Sequence, residues 1–167
     1  MQTAVLVANI RGLHQVLEDH GTEVTVRLVE QFTGITQTVI EQLGGNLVQV
    51  WGDEAVVLFR TPQQAVRAAL EAHLQYAEVV LPGGRSLGVG IGIAAGKVTW
   101  VLTGHVGRPI RRASQLCALA GAGQTFVDTG IREMIPHMHG VAFIERTSSR
   151  PAHVNAYTEV AATINGM

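Results

Sequence analysis

The chain has 167 residues, which suits one domain built around one core, so we expect a single domain over residues 1–167. Its 12 Lys and Arg balance 13 Asp and Glu, and the net charge of −1 gives no general attraction to nucleic acid or to an anionic membrane. Charged residues are only 15% of the chain and mean hydropathy is +0.24. This composition predicts apolar surface that an oligomer would cover.

The N-terminal residues lack the basic stretch and hydrophobic segment that make up a signal peptide. The most apolar long window, residues 87–104, contains Lys97 and alternates in β-branched residues, which indicates sheet rather than a membrane helix. One cysteine, Cys117, cannot form an internal disulfide. We therefore expect a cytoplasmic chain with no membrane partner.

The first half of the chain begins with a continuous apolar run, Thr3 to Asn9, which predicts a strand buried on both faces. From about Thr22, apolar residues recur every three or four positions and predict one long helix that Gly44 and Gly45 end. Its inward positions are Leu28, Phe32, Ile35, Val39 and Leu43.

The next segments predict a hairpin, a helix and a strand. Strands Asn46–Trp51 and Ala55–Phe59 flank Gly52-Asp53, a pair typical of tight turns. Thr61 and Pro62 form a cap and first turn for a helix that residues 82–84 stop. The inward stripe of this helix is predicted as Val66, Leu70, Leu74, Ala77 and Leu81, and a fourth strand follows at Leu87 to Ala94.

After Gly96 the pattern predicts a strand, a helix, a strand, a helix and two closing strands, over residues 98–102, 108–119, 125–128, 129–137, 141–144 and 153–158. The fold class is therefore α+β, an α/β sandwich with a ferredoxin-like βαββαβ core and a C-terminal βαβαββ extension. In such a core the first strand and the central hairpin are neighbours, so Asn9 and Asp53 should lie side by side.

Several segments in combination resemble the class III nucleotidyl cyclases, the adenylate and guanylate cyclase family. They are Ile10-Arg11-Gly12, Gly44-Gly45, Gly52-Asp53-Glu54, the Ala65 to Leu70 helix, and residues 90–96. A lone Gly-Asp-Glu would also suit diguanylate cyclases, but the other segments favour class III. The resemblance runs from Val5 to about Thr158 and implies the nucleotidyl cyclase fold.

The resemblance also implies a reaction, attack of the ribose 3′-hydroxyl of ATP or GTP on the α-phosphorus, helped by two divalent ions that share two aspartates. Here Asn9 stands at the first aspartate position and only Asp53 remains. One carboxylate allows a single weakly held Mg²⁺ or Mn²⁺ but not the pair. The alternative roles are structural: Asp53 capping the hairpin turn, and Asn9 a strand-end residue bonded to Asp53.

The other half of a family site comes from the opposite subunit of a head-to-tail dimer. The implied base-reading lysine corresponds to Gln49 and the base-reading acid or threonine to Gly104. The implied asparagine and arginine for the ribose and transition state correspond to Arg111 and Gln115. All four positions depart from the family pattern, so the resemblance predicts an active site that is degenerate.

Three arginines, Arg108, Arg111 and Arg112, crowd the start of a predicted helix, where the dipole favours anions. They predict either a phosphate or acidic partner nearby, or simply a solvated face. The 7 histidines include no ligand pair at helical spacing, so we expect no zinc site. Neither Ser114 nor Cys117 has the pattern of a nucleophile, and we expect Trp51 and Trp100 to pack rather than to stack on a base.

Three functions remain open. The favoured one is a catalytically degenerate cyclase-like protein that serves as a regulatory or scaffolding module in intracellular signalling, as a homodimer or with a protein partner. The second is a sensor that binds a purine nucleotide without turnover. The third is an adenylate or guanylate cyclase with a remodelled site.

Overall fold

The computed structural model describes residues 3–101, 104–147 and 156–163. Its strands are β1 Thr3–Ile10, β2 Asn46–Trp51, β3 Glu54–Phe59, β4 Val89–Gly96, β5 Thr99–Val101, β6 Gly104–Val106, β7 Thr125–Val127, β8 Val141–Thr147 and β9 Ala156–Ala162, and its helices are α1 Leu13–Leu43, α2 Pro62–Ala77, α3 Arg108–Leu119 and α4 Thr129–Met134. One mixed sheet has the order β2-β3-β1-β4-β7-β9-β8, and β5 with β6 forms a separate hairpin. The predicted α+β architecture is confirmed.

Strand β1 lies inside the sheet between β3 and β4 and is buried on both faces, as its continuous apolar sequence predicted. Ala4, Leu6 and Ala8 belong to the larger hydrophobic cluster, which α1, α2 and α4 cover. Val5 and Val7 belong to a second cluster under α3. The sheet therefore has helices on both sides, and among the described residues α3 is the helix that packs against β1 and β4 on the second side.

The sequence of β4 explains why α3 packs so close to one face of the sheet. Val89, Ile91 and Ile93 point into the larger cluster, while Gly90 and Gly92 face α3. A Cβ atom added at Gly92 would come within 2.4 Å of the backbone of α3. The alternation of glycine with β-branched residues thus allows α3 to pack directly on the backbone of β4.

The first helix differs from the prediction at its start. It begins at Leu13 rather than near Thr22, and Gly21 interrupts it with non-helical angles of φ 85° and ψ 179°. Between Leu13 and this break only Val16 is buried, so the segment has no apolar stripe that could reveal it. The predicted end is confirmed, because Gly44 adopts a left-handed conformation at φ 79°.

The predicted inward stripe of α2 is partly wrong. Thr61 accepts a hydrogen bond from the backbone N–H of Gln64, as expected of a cap, but Leu74 is 63% exposed. The helix ends at Ala77, so Leu81 lies beyond it. Small residues instead allow close packing on the sheet, and the buried positions are Ala65, Val66, Ala68, Ala69, Ala72 and Tyr76.

The later elements follow the predicted order with shifted bounds. Helix α3 has the predicted range, whereas α4 ends at Met134 instead of His137 and β8 continues beyond Ile144 to Thr147. Strand β6 was not predicted. Predicted strand residues 102 and 153–155 lie outside the described residues. None of the described helices has the length and apolarity that a membrane crossing requires.

The contact between β4 and α3 generates a stability prediction. Replacing Gly92 by alanine should lower the free energy of unfolding by about 3 kcal/mol, because the added methyl group meets backbone that cannot move away. Gly34 is the matched control, since a Cβ there meets nothing within 4 Å and alanine suits a helix better. Urea unfolding of both variants should show G92A strongly weakened and G34A stabilised by about 0.5–1 kcal/mol.

His73 on α2 connects this helix to the sheet. Its Nε2 atom lies 2.9 Å from Oγ1 of Thr125 on β7. Burial lowers the pKa of His73 from its ordinary 6.5 to about 4, so the neutral ring is the form that the folded state prefers. The stability that this preference contributes is complete above pH 6.5 and is lost as the pH falls towards 4.

We expect the free energy of unfolding to fall between pH 6.5 and about 4, with His73 contributing to the slope. Replacing His73 by glutamine should flatten this slope, because glutamine does not titrate. His14, whose side chain is 84% exposed, is the control, and H14Q should leave the slope almost unchanged. Equal slopes for H73Q and the parent chain in chemical denaturation would contradict the assignment.

Candidate functional site

The two segments that carry the resemblance meet at the end of β1. Asn9 lies opposite Glu54 in the register of β1 and β3. The backbone N–H of Ile10 donates to the carbonyl of Asp53 at 2.8 Å. The expectation that the Asn9 and Asp53 segments are neighbours is therefore confirmed.

The side chain of Asn9 contacts Arg11, not Asp53, in the hydrogen bonds of the described residues. Its Oδ1 atom accepts a hydrogen bond from Nη1 of Arg11 at 3.1 Å. The proposed bond between Asn9 and Asp53 is therefore not the one that the structure contains. Asn9 offers a neutral oxygen that already accepts a hydrogen bond from a cation.

Arg11 is a central residue of this site. The sequence analysis identified it only as part of the Ile10-Arg11-Gly12 motif. Its Nε donates to the carbonyl of Ala120 at 3.0 Å, and its Nη2 donates to the carbonyl of Cys117. Cys117 belongs to the last turn of α3 and Ala120 is the C-cap of this helix, where the helix dipole favours a cation. Arg11 therefore caps α3 and attaches it to the end of β1.

The path of the Arg11 side chain depends on Gly90. A Cβ at Gly90 would lie 2.6 Å from Nη2 and 2.7 Å from Nε of Arg11. The guanidinium thus occupies the space that a side chain on β4 would fill. A charged residue between an apolar strand and Gly12, combined with alternating glycines in a later strand, is the only sequence signal of this contact.

Cys117 lies in the same contact and is protected from reaction. Its Sγ donates to the carbonyl of Gly90 at 3.3 Å. Burial raises the pKa of the Cys117 thiol to about 11, and the nearby Glu54 carboxylate adds to the rise while Arg11 opposes it. The thiol is therefore protonated at neutral pH and does not serve as a nucleophile.

The donor set around Asn9 does not fit a pair of divalent ions. Within the described ranges, no three His, Cys, Asp or Glu side chains form a group that could hold a metal. Asp53 is half-buried at the hairpin turn, and Glu54 faces the side of the sheet that holds Asn9. Of the two aspartates that the resemblance implies for a metal pair, only Asp53 is present, and the neutral Asn9 lies beside the guanidinium of Arg11.

The arginines at the start of α3 lie at the other end of that helix. Arg108 and Arg111 are exposed, while Nε of Arg112 lies 4.0 Å from Oδ2 of Asp128. Asp128 is only 4% exposed, and burial raises its pKa. The arginine cluster predicted an acidic group nearby, and for Arg112 this group is Asp128 of the same chain.

Asp128 also has a structural role that the sequence did not reveal. Its Oδ1 accepts a hydrogen bond from the backbone N–H of Ile131 at 2.9 Å and caps α4. Because α3 contains 12 residues, its two ends are about 18 Å apart. One protomer therefore does not bring the arginine cluster to Asn9 and Asp53.

The remaining predicted positions are spread over this side of the sheet. Gln49 is exposed on β2. It is in register with Val56 and therefore lies on the same side of the sheet as α3, beyond the strands that this helix covers. Gln115 is half-buried on α3, and Gly104 begins β6. Trp51 was expected to pack but is 71% exposed, because α3 packs on β1 and β4 and leaves β2 open.

A large cavity adjoins the site without reaching Asp53. It has a volume of about 790 Å³ and lies between the first turns of α1 and the loop before β4. Arg11, Gly12, His20 and Arg85 are among its lining residues. The carboxylate of Asp19 also lines this cavity, so its lining contains side chains of both charges.

No protein-family model matches the sequence. An uncharacterized protein of Mycobacterium tuberculosis is 31% identical over 117 residues, which are 69% of this chain and 29% of the relative. The chain therefore spans less than a third of that relative's length.

Solved structures match over almost the whole chain. The guanylate cyclase domain of Catenaria anguillulae, solved with GTP, has a TM-score of 0.79 at 16% identity and covers 98% of this chain and 97% of its own. A dimeric guanylyl cyclase domain of a fusion protein from Blastocladiella emersonii has a TM-score of 0.80 at 15% identity, with 96% of both chains covered. The chain thus has the fold of class III adenylate and guanylate cyclase catalytic domains.

The role of Arg11 can be tested by stability. Replacing Arg11 by methionine should lower the free energy of unfolding by about 2–3 kcal/mol, because buried carbonyls of α3 and Oδ1 of Asn9 lose a charged donor. Arg27 is the control, because its pair with Glu23 spans 3.8 Å on an exposed helix surface. Thermal denaturation should show R27M within about 0.5 kcal/mol of the parent chain.

Proposed function

We propose that this chain is a catalytically silent module with the cyclase fold, and that it acts by self-association or by binding a protein partner in signalling. The observation that carries the proposal is Asn9, which lacks a carboxylate and accepts a hydrogen bond from Arg11. The scaffold around it is intact from β1 to β9. A preserved scaffold with an altered site favours a binding role over catalysis.

The size of the expected decrease in reaction rate supports this proposal. Removing one preorganised electrostatic group typically costs about 10²–10³ in rate, or roughly 2.7–4 kcal/mol. By the resemblance to class III cyclases, Gln49, Gly104, Arg111 and Gln115 are four further departures. Even with strong non-additivity, these changes leave little turnover.

The surface supports a binding role. Trp51, Leu74 and Val80 are each more than 60% exposed, and they come from a chain in which only 15% of residues are charged. Large exposed apolar side chains are what protein interfaces cover. The Blastocladiella emersonii domain is described as dimeric, which is consistent with self-association of this fold.

A second candidate function is a nucleotide sensor. The cavity of about 790 Å³ has the size to admit a nucleotide, and its lining includes Arg85 as well as the carboxylate of Asp19. The Catenaria anguillulae domain was solved with GTP, which shows that this fold can hold such a ligand in that protein. Binding without turnover would need no second aspartate.

The purified chain should form no cyclic AMP or cyclic GMP from ATP or GTP with Mg²⁺ or Mn²⁺, because the paired ions have no adequate ligands. Replacing Asp53 by alanine should therefore leave the assay at background. Product formation that disappears in D53A would overturn the proposal. Replacing Asn9 by aspartate alone should also stay at background, because the four other altered positions remain.

A melting experiment distinguishes the nucleotide-sensor function from the protein-binding function. A ligand at 100 times its dissociation constant stabilises a protein by about 2.7 kcal/mol, which raises the melting temperature by several degrees. A rise with millimolar ATP, GTP or a cyclic nucleotide, lost in R85A, would favour the sensor. Unchanged melting together with a dimer or a co-purified partner would favour the binding module.

A further inference from the structure

Basic residues collect at the end of the sheet where β1 begins. Strand β1 pairs antiparallel with both β3 and β4, so these two strands end beside its first residues. Phe59 and Ala95 both lie opposite Ala4, which places them about 10 Å apart, across two strand spacings. Arg60 directly follows β3 and Lys97 directly follows β4, so the topology brings these two cations to the same end.

The start of α3 lies at this end as well. A Cβ atom added at Gly107 would come within 2.8 Å of the carbonyl oxygen of Lys97, so the first turn of α3 packs against the residue that follows β4. Arg108 and Arg111 are three positions apart on α3 and are therefore neighbours on the helix surface. Four exposed side chains form this basic patch: Arg60, Lys97, Arg108 and Arg111.

The chain supplies little negative charge to balance the basic patch. Residues 55–70 and 79–127, which contain all four members, include no Asp or Glu. In the ion pairs of the described residues, no member of the patch takes part. The buried Asp128 pairs with Arg112 instead and caps α4.

Such a concentration of positive charge is unfavourable for the chain by itself. The spacing of the strand ends is close to the screening length of about 10 Å at 0.1 M salt, so screening does not remove the repulsion. Arg108 and Arg111 also lie at a helix start, where the dipole disfavours cations. An anionic partner on the basic patch would reduce both costs.

The shape and surroundings of the basic patch favour a short acidic protein segment as this partner. Its members are exposed, and none of them lines the cavities that adjoin α1 and α2 in the described residues, whereas small ligands favour concave sites. The whole chain has a net charge of −1, so a long nucleic acid or an anionic membrane would also meet acidic surface beyond the patch. Clustered arginines recognise acidic motifs, because a guanidinium can bind a carboxylate through two parallel hydrogen bonds.

We infer that the basic patch binds a short run of Asp and Glu residues on a protein partner. This inference rests on the protein-binding role in the proposed function, and it names the chemistry of the partner and the surface that carries it. Arg108 and Arg111 supply bidentate hydrogen bonds to carboxylates, and Arg60 and Lys97 add attraction from the ends of β3 and β4.

Fluorescence polarisation with a labelled oligoglutamate peptide measures this binding on the full chain. R111E should raise the dissociation constant about fivefold, and R108E/R111E should raise it at least tenfold, since each change replaces attraction by repulsion. R27E is the matched control, because it makes the same charge change on the exposed surface of α1, and it should alter the constant less than twofold. The affinity of the parent chain should fall as salt is added.

Thermal melting of the same variants distinguishes binding from a structural role of the arginines. A carboxylate is favoured at a helix start, so R108E/R111E should raise the melting temperature by about 2–4 °C while it loses the peptide. A lower melting temperature would show that the arginines stabilise the fold and would overturn the inference.

Three binding results would also overturn the inference. They are the absence of oligoglutamate binding at low salt, equal weakening by R27E and R111E, and tighter binding to duplex DNA or to phosphatidylserine vesicles than to oligoglutamate. Each of these leaves the proposed function intact. Formation of cyclic AMP or cyclic GMP by the chain would instead overturn the proposed function, whether or not the peptide binds.

Discussion

The guanidinium of Arg11 joins the parts of this protein that define its site. It lies over Gly90, donates to the carbonyls of Cys117 and Ala120, and donates to Oδ1 of Asn9. The contact places the C-terminal end of α3 above the ends of β1 and β4, where a cation also suits the helix dipole. The position of α3, the burial of Cys117 and the environment of Asn9 all depend on this one side chain.

The same contact shows that the fold and a pair of metal ions have different requirements at this site. Arg11 supplies a fixed positive charge that the fold itself requires, whereas the metal pair implied by the resemblance would need two carboxylates. Asn9 can accept a hydrogen bond from Arg11 at 3.1 Å without adding any negative charge to hold metal ions.

The strands that α3 covers determine which part of the sheet surface stays exposed. This helix packs on β1, β4 and β7 and leaves the outer strand β2 uncovered, with Trp51 exposed. The arginines at its start lie about 18 Å from its other end, where Arg11 joins it to β1, because a 12-residue helix has about that length. Within one protomer, the arginine cluster and Asn9 therefore lie at opposite ends of α3.

Much of the fold was determined by local sequence. The apolar run of β1, the hairpin around Gly52, the range of α3 and the helix end at Gly44 follow from periodicity and turn chemistry, which short segments contain. The adjacency of Asn9 and Asp53 followed from the order of the elements. Tertiary structure alone decided that α1 begins at Leu13, that Leu74 is exposed, that Arg11 crosses Gly90 to α3, and that Asp128 pairs with Arg112. The contact between Arg11 and Ala120 joins residues that are 109 positions apart in the sequence. Such a contact depends on how whole helices and strands pack, so no periodic pattern in the sequence indicates it.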